Sequence, residues 1–185
     1  MSTKYDSLQQ KLMKISPTMV VDIKPADSAD FPVIMEIFTE AAAWLEEKGI
    51  DQWASPPNEF FRQRVAEAIE RGEFYTVGIV TNRFGVLRFI WSDPYWPDDG
   101  LAGYVHSLAV RPSMHGQKLG EMMLLWAVLK AKREKKQFLR LDCRADNGRI
   151  RRYYEEQGFV YKGEVTDRDY TGALYEKGIV FEDVS

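Results

Sequence analysis

The chain has 185 residues, of which 45% are hydrophobic, and its formal net charge is −3 at pH 7. This length is enough for one domain with a sizeable core, and the negative charge excludes the broad basic field that nucleic-acid binding requires. Cys143 is the only cysteine, which excludes an intrachain disulfide and favours a reducing, cytoplasmic location.

The sequence also argues against a metal centre and a membrane anchor. His106 and His115 are the only histidines, and the chain has no pair of cysteines, so the spacing of a metal site is absent. No run reaches the about 18 apolar residues of a membrane helix, and the N-terminus lacks the apolar core of a signal peptide. We therefore expect neither a metal nor a membrane partner.

The first half of the chain predicts a strand, two helices and a β-hairpin. Residues 1–18 are polar and are interpreted as an N-terminal extension, either an accessory helix or a frayed end, and residues 19–185 as a single domain. Apolar periodicity, capping residues and glycines define the elements. In order, they are a strand over Val20–Lys24, a helix from Asp27 or Ser28 that Gly49 ends, a helix from Asn58 that Gly72 ends, and strands over Phe74–Val80 and Gly85–Trp91.

The second half predicts a parallel strand–helix–strand unit, then a helix and two antiparallel strands. The elements are a strand over Tyr104–Val110, a helix from Gln117 or Lys118 to about Arg133, a strand over Phe138–Cys143, a helix over Gly148–Gln157, and strands over Phe159–Val165 and Ala173–Phe181. The order β-α-α-β-β-β-α-β-α-β-β predicts an α/β (α+β) fold. Its mixed sheet of about seven strands would have helices on both faces.

The stretch from Tyr104 to Lys130 joins a strand, a glycine-containing turn and the start of a helix. The first N–H groups of a helix have no intrahelical partner and lie at the positive end of its dipole, so a phosphate can bind there. Two common phosphate loops are absent, because Gly116 and Gly120 lack the following Lys-Ser/Thr pair and no G-x-G-x-x-G occurs. A turn without a ligand is the alternative interpretation.

Two stretches resemble the motifs of the GCN5-related N-acetyltransferases (GNAT). Residues 108–120, LAVRPSMHGQKLG, are similar to motif A, whose usual form is a strand, V-x-P, R-G-x-G-[IL]-G and a helix. Residues 141–159 carry LDCRADN and YYEEQGF, which are similar to motif B, L-x-V-x-x-x-N…F-Y-[EK]-x-x-G-F. The predicted order of elements also resembles the fold of this family from Val20 to Phe181.

Two positions depart from the usual form of motif A. His115 occupies the place of the arginine, and Lys118 occupies the place of the first glycine. A lysine at position 118 is tolerable if its φ is helical, because its Cβ can then point away from a bound phosphate.

The resemblance implies that the chain binds acetyl-CoA. The backbone N–H groups of residues 117–120 would cradle the pyrophosphate, and the pantetheine arm would bond in sheet fashion to free backbone groups of residues 108–110. One of those N–H groups would polarise the thioester carbonyl. Asn147 would bond the pantetheine arm, although a helix N-cap is an alternative role. The cofactor-binding residues expected on this ground are Leu108, Ala109, Val110, His115, Gly116, Gln117, Lys118, Leu119, Gly120, Asn147 and Tyr154.

Two side chains are candidates for proton transfer. Tyr154 matches the family tyrosine beside the thioester sulfur, where a phenol can protonate the leaving thiolate. His106 lies in a stretch, HSLAV, that resembles a strand of the arylalkylamine members, whose histidine acts in proton removal. A hydrogen-bonded packing residue is the alternative for His106, and a glutamate or a water chain takes the proton in many other members. Cys143 is a poor candidate for a covalent carrier because no histidine is near it in sequence.

The resemblance implies that the acceptor pocket is built by the segment that connects the first two helices and by loops at strand ends. Aromatic and acidic side chains there suit a cationic amine, through cation–π contact and charge. A solvated acidic loop over packed aromatic residues is the alternative. The candidates for acceptor binding are Trp44, Gln52, Trp53, Trp91, Asp93 and Tyr95.

The sequence therefore predicts a cytoplasmic acetyltransferase. It would transfer acetyl from acetyl-CoA to a primary amine of a small molecule or peptide, by direct attack in a ternary complex. Two other interpretations stay open, a non-catalytic module that binds acyl-CoA and an acyltransferase for a longer acyl group. The oligomeric state is open as well, with a homodimer as one alternative.

Overall fold

The structure, a computed structural model, describes residues 13–16, 19–50, 52–168 and 170–181. Within these ranges its strands are β1 (Met13–Ser16), β2 (Met19–Pro25), β3 (Phe74–Ile79), β4 (Asn82–Ile90), β5 (Ala102–Val110), β6 (Phe138–Arg144), β7 (Val160–Asp167) and β8 (Tyr170–Gly178). Its α-helices are α1 (Phe31–Glu47), α2 (Glu59–Glu70), α3 (Leu119–Arg133) and α4 (Gly148–Glu156).

The predicted mixed α/β fold is confirmed. Single residues begin and end the helices as expected. Asn58 caps α2, since its Oδ1 accepts a hydrogen bond of 2.9 Å from the N–H of Phe61. Asp27 forms a capping box with Asp30 in the short 3-10 turn that leads into α1. Gly49 follows α1 with a φ of 68°, in the left-handed region where glycine is favoured.

The N-terminal strand β1 differs from the sequence expectation. Residues 13–16 pair antiparallel with β2, whereas their apolar spacing suggested part of a helix or a frayed end. A short isolated helix is marginal in water, while the edge of β2 offers N–H and C=O partners. The other residues of the predicted extension, 1–12 and 17–18, lie outside the described residues.

The chain forms two compact units that alternate along the sequence. The first comprises the residues through Arg88 together with Ser107–Met123, and the second comprises Phe89–His106 and the residues from Leu124 onward. Consequently β4, β5 and α3 each contribute residues to both units.

The first unit contains the antiparallel strands β1 to β4 and the helices α1 and α2. Its core joins the buried faces of the helices to β3 and β4, with Ile34, Ile37, Val65 and Val86 at most 2% exposed. The ring of Phe38 lies edge-on to those of Trp53, Phe61 and Phe74.

The second unit contains the order β5-β6-β8-β7. β5 and β6 are parallel, as the strand–helix–strand unit predicted, and β8 is antiparallel to both β6 and β7. The parallel pairing joins Ala102–Val105 to Phe138–Leu141 and ends there, although both strands continue. The next residues on the two strands are His106 and Asp142, so the register places these two side by side.

Candidate functional site

The predicted phosphate loop lies in the first unit, between β5 and α3. A 3-10 turn over Pro112–Met114 is followed by Gly116 with a φ of 78°, and α3 begins at Leu119. The helix therefore starts one or two residues later than predicted. Lys118 closes its first turn by accepting from the N–H of Met122 at 3.0 Å, so the N–H groups of Leu119 and Gly120 have no intrahelical partner. Gln117 instead donates to Met114 O at 3.3 Å.

Lys118 does not meet the condition of a helical φ. Its φ is 58°, in the left-handed region that a glycine adopts without steric cost. The reason is local, because the chain must reverse sharply between the 3-10 turn and the first turn of α3. Lys118 thus has the backbone conformation of the glycine it replaces in the family motif.

This conformation predicts the effect of replacing Lys118 by glycine. The left-handed conformation costs a lysine about 1–2 kcal/mol, part of which the greater unfolded-state entropy of glycine offsets. We expect Lys118→Gly to raise the free energy of unfolding by about 0.5–1 kcal/mol in urea denaturation. Lys135, at a φ of 56°, is a matched control in the turn after α3. Lys135→Gly should give a similar gain, but only Lys118→Gly should change acetyl-CoA affinity. Destabilisation by Lys118→Gly would show that its side chain stabilises the loop.

Two residues, Arg111 and His115, hold the predicted phosphate loop in the first unit. The guanidinium of Arg111 forms ion pairs with Glu36 and Glu40 of α1, and its Nε donates to Arg83 O at 2.9 Å. His115 lies edge-on to the ring of Trp44, with centroids 4.6 Å apart. The structure therefore places Trp44, a predicted acceptor-binding residue, beside the loop.

The backbone of β5 changes direction at the segment predicted to bind pantetheine. Ser107 has a φ of 49°, which is uncommon for a residue other than glycine, and it comes just after the parallel pairing with β6 ends. Just after β5, the backbone N–H of Arg111 donates to the carbonyl oxygen of Phe84 in β4 at 2.8 Å. Ala109 is buried, whereas Leu108 and Val110 are half-buried. The pairing of β5 with β6 therefore does not extend to residues 108–110.

His106 lies in the second unit between two carboxylates. Its Nε2 contacts Oδ2 of Asp93, and its Nδ1 lies 3.4 Å from Oδ1 of Asp142. Nε2 is sealed from solvent and has no regular hydrogen-bond partner among the described residues, so the Asp93 carboxylate is its close polar neighbour. This neighbourhood is more than apolar packing, because it sets two charged groups against one imidazole.

Two tyrosines extend this cluster. The hydroxyl of Tyr170 donates to Asp142, and burial together with that carboxylate raises the pKa of Tyr170. The ring of Tyr95 stacks on Tyr170 at 6.5 Å, and its hydroxyl donates to Asp167 at 3.0 Å. The backbone N–H of Tyr95 donates to Oδ1 of Asp93 at 2.7 Å. The predicted acceptor-binding residues Asp93 and Tyr95 therefore lie with His106.

Tyr154 is buried on α4, also in the second unit. Its ring is 8% exposed and packs against Tyr153, Phe159 and Tyr175. Burial raises the pKa of the Tyr154 phenol well above its ordinary value, with smaller contributions from Cys143, Tyr153 and Asp142. The phenol therefore stays protonated across the neutral range, as a proton donor must.

Cys143 is a buried thiol, and Asn147 has the helix-capping role that was the alternative for it. Burial raises the pKa of the Cys143 thiol to about 12, so it is not a thiolate nucleophile at neutral pH. Asn147 caps α4, and its Oδ1 accepts from the N–H of Ile150 at 3.2 Å. The amide group of the Asn147 side chain also has two N–H donors that this cap does not use.

The remaining predicted acceptor-binding residues lie elsewhere. Gln52 and Trp53 line a cavity of about 240 Å³ in the first unit, together with Phe38, Phe61 and Arg64.

In the second unit, Trp91 is 39% exposed, lies edge-on to Phe89 and has two lysine ammonium groups within 6 Å of its ring. The predicted set is therefore spread over several places rather than gathered in one.

Sequence reasoning missed Asp142 and Tyr170. A signal for Asp142 was present, because Arg140, Asp142 and Arg144 alternate with apolar residues along β6 and so share one face of the strand. Tyr170 had no such signal, since its contact with Asp142 depends on the pairing of β8 with β6.

Two kinds of feature are absent from the described part of the chain. No group of three or more His, Cys, Asp and Glu side chains is arranged to hold a metal ion. No helix in the described ranges is long and apolar enough to cross a membrane.

Comparison with known proteins identifies the family. The model of the acetyltransferase (GNAT) family matches residues 34–159. YesJ of Bacillus subtilis strain 168, described as an uncharacterized N-acetyltransferase, is 29% identical over 166 residues, which cover 85% of this chain and 90% of YesJ.

Solved structures share the fold. A GNAT acetyltransferase from Listeria monocytogenes 4b F2365 superimposes with a TM-score of 0.73 at 22% identity, covering 90% of this chain and 99% of its own. The putative acetyltransferase YncA from Salmonella typhimurium, solved with acetyl-CoA, gives 0.64 at 16% identity, covering 89% and 97%. The family match spans both motifs and the strands and helices that carry them, and we conclude that the chain belongs to the GNAT family of acetyltransferases.

Proposed function

We propose that the chain transfers the acetyl group of acetyl-CoA to a primary amine of a small molecule or peptide, by direct attack in a ternary complex. The observation that carries this proposal is His106 between Asp93 and Asp142. An amine is protonated at neutral pH and must lose a proton before it attacks, and an imidazole held by carboxylates is suited to take that proton.

The roles of the other groups follow from the reaction. The free N–H groups at the start of α3 support pyrophosphate binding, and the backbone of residues 108–110 supports binding of the pantetheine arm. Tyr154, a protonated phenol, would donate to the thiolate as the carbon–sulfur bond breaks. Cys143, a buried neutral thiol, supports direct transfer rather than an acetyl-cysteine intermediate.

Acetyl-CoA should stabilise the folded chain, because a ligand that binds only the native state shifts the unfolding equilibrium. At a hundred times the Kd the gain would be about 2.7 kcal/mol. Differential scanning calorimetry with and without millimolar acetyl-CoA measures it. An unchanged Tm would contradict the predicted donor site.

The acceptor should be a cation at neutral pH. Burial raises the pKa of Tyr95, and the nearby carboxylates of Asp167, Asp142 and Asp93 raise it further, so the His106 cluster is acidic. Such a field attracts ammonium groups and repels carboxylates. A panel of monoamines, polyamines, amino acids and amine-bearing peptides, assayed with acetyl-CoA by release of free thiol, tests the proposal. Acidic amino acids should turn over least, and an anion as the best acceptor would contradict this prediction.

The same panel separates the enzyme from its alternatives. A module that only binds acyl-CoA would show the calorimetric shift but no thiol release with any amine. An enzyme for longer acyl groups would prefer a longer-chain thioester in a donor series. For the location we propose the cytoplasm, on the ground of the single buried thiol.

A further inference from the structure

We propose that Asp93 is a positioning residue that holds a proton on Nε2 of His106, so that Nδ1 is the atom that accepts the proton of the amine. This inference rests on the proposed function, because it assigns atoms within that reaction. It also gives Asp93 a different role from the acceptor contact that the sequence predicted.

Access to the ring nitrogens of His106 limits which of them can take a proton from an acceptor. Nε2 is sealed from solvent and contacts Asp93, whose side chain is only 2% exposed. The His106 side chain as a whole is 20% exposed, so its accessible surface lies away from Nε2. Since no acceptor can reach Nε2, Nδ1 is the ring nitrogen left to take the proton of an amine.

The contact at Nε2 determines where the proton of a neutral ring resides. A bare nitrogen lone pair and a carboxylate oxygen repel each other, whereas an N–H and a carboxylate attract. The Asp93 oxygen is in direct contact with Nε2, while the Asp142 oxygen is at 3.4 Å from Nδ1. The single proton of the neutral ring therefore lies on Nε2, and the lone pair lies on Nδ1.

Asp142 has a complementary part in this arrangement. When Nδ1 takes a proton, the nearby Asp142 carboxylate stabilises the imidazolium, and the Tyr170 hydroxyl keeps that carboxylate in place. The described charged and titratable groups of the cluster are Asp93 from the loop before β5, Asp142 from β6 and Tyr170 from β8. Tyr95, whose hydroxyl donates to Asp167, completes it.

The proton step balances without any other reactant. The ammonium group of the acceptor gives one proton to Nδ1, which leaves a neutral amine with a free lone pair and an imidazolium that carries both ring protons. Asp93 keeps its charge throughout, as the buried carboxylate does in a Ser-His-Asp triad.

Nuclear magnetic resonance of ¹⁵N-histidine-labelled protein tests the tautomer directly. The chain has only two histidines, and His115→Gln assigns the signals of His106. Long-range ¹H–¹⁵N spectra at a pH where the ring is neutral should show the Nε2–H pattern. An Nδ1–H ring in the wild-type protein would overturn the proposal.

Three variants test the consequence for the reaction. Asp93→Asn can offer an amide N–H to Nε2, so the ring should change to Nδ1–H and kcat/KM should fall by about 10²–10⁴. Asp98→Asn, which removes the same charge from an exposed position in the same loop, should change neither. Asp142→Asn should keep the Nε2–H tautomer and move the acid limb of kcat/KM to lower pH, because the imidazolium loses a stabilising charge.

The outcomes separate this inference from the proposed function. An unchanged tautomer in Asp93→Asn would overturn the positioning role, and so would a changed tautomer with full activity. Neither result would count against acetyl transfer. Absence of wild-type turnover would count against the proposed function, while the spectra would still decide which nitrogen carries the proton.

Discussion

Replacing Tyr154 by phenylalanine should lower kcat by about 10²–10⁴, the range for loss of one general acid. The phenol is buried and its pKa is raised, so at neutral pH it is a proton donor throughout. It would bond the developing thiolate more strongly than the ground-state thioester, and only such a difference lowers the barrier.

Binding and folding should survive this change. Phenylalanine fills nearly the same volume among Tyr153, Phe159 and Tyr175, and the predicted phosphate loop is not altered. Calorimetric titration should give an acetyl-CoA Kd within a few fold of the wild-type value. Tyr153→Phe removes a hydroxyl from the neighbouring position on α4 and should leave kcat nearly unchanged.

Two results would change the role of Tyr154. A Tyr154→Phe enzyme with near wild-type kcat would remove this residue from the mechanism. A loss of activity that follows only from weaker acetyl-CoA binding would make Tyr154 a binding residue.

Replacing His106 by glutamine should lower kcat/KM by about 10² or more and abolish the acid limb of its pH profile. The neutral imidazole is the form that accepts a proton, so wild-type activity should fall as the pH drops and the ring becomes protonated. Glutamine keeps polar atoms near Asp93 and Asp142 but does not titrate in this range. Steady-state rates from pH 5 to 9 measure both effects.

The second histidine is a matched control. His115 lies in the predicted phosphate loop against Trp44, so His115→Gln should weaken acetyl-CoA binding and leave the acid limb in place. If His106→Gln retained the wild-type pH profile, His106 would be a packing residue, and a water chain or another carboxylate would take the proton.

Features set by neighbours in sequence were predictable. Asn58 and Asp27 cap helices through hydrogen bonds two or three residues away, and Gly49 ends a helix through its own backbone conformation. The alternation of apolar residues similarly located the strands. These signals require no knowledge of tertiary contacts, and together with the two motifs they were sufficient for the fold and family.

Features set by distant partners were not predictable. Residues 13–16 form a strand because β2 lies beside them, and no local pattern shows this. The environment of His106 needs a carboxylate from the preceding loop and another from the neighbouring strand, which only the sheet register brings together.

The most direct test of acetyl transfer to an amine is a mass balance for the acetyl group. The chain is incubated with acetyl-CoA labelled with ¹³C in the acetyl group and with the best amine of the acceptor panel. Mass spectrometry then measures labelled amide, and a thiol reagent measures free CoA. Direct transfer predicts one labelled amide for each thiol released, with no acetyl group on the protein. Thiol release without labelled amide, or a stable acetylated protein that supplies the amine, would contradict direct transfer.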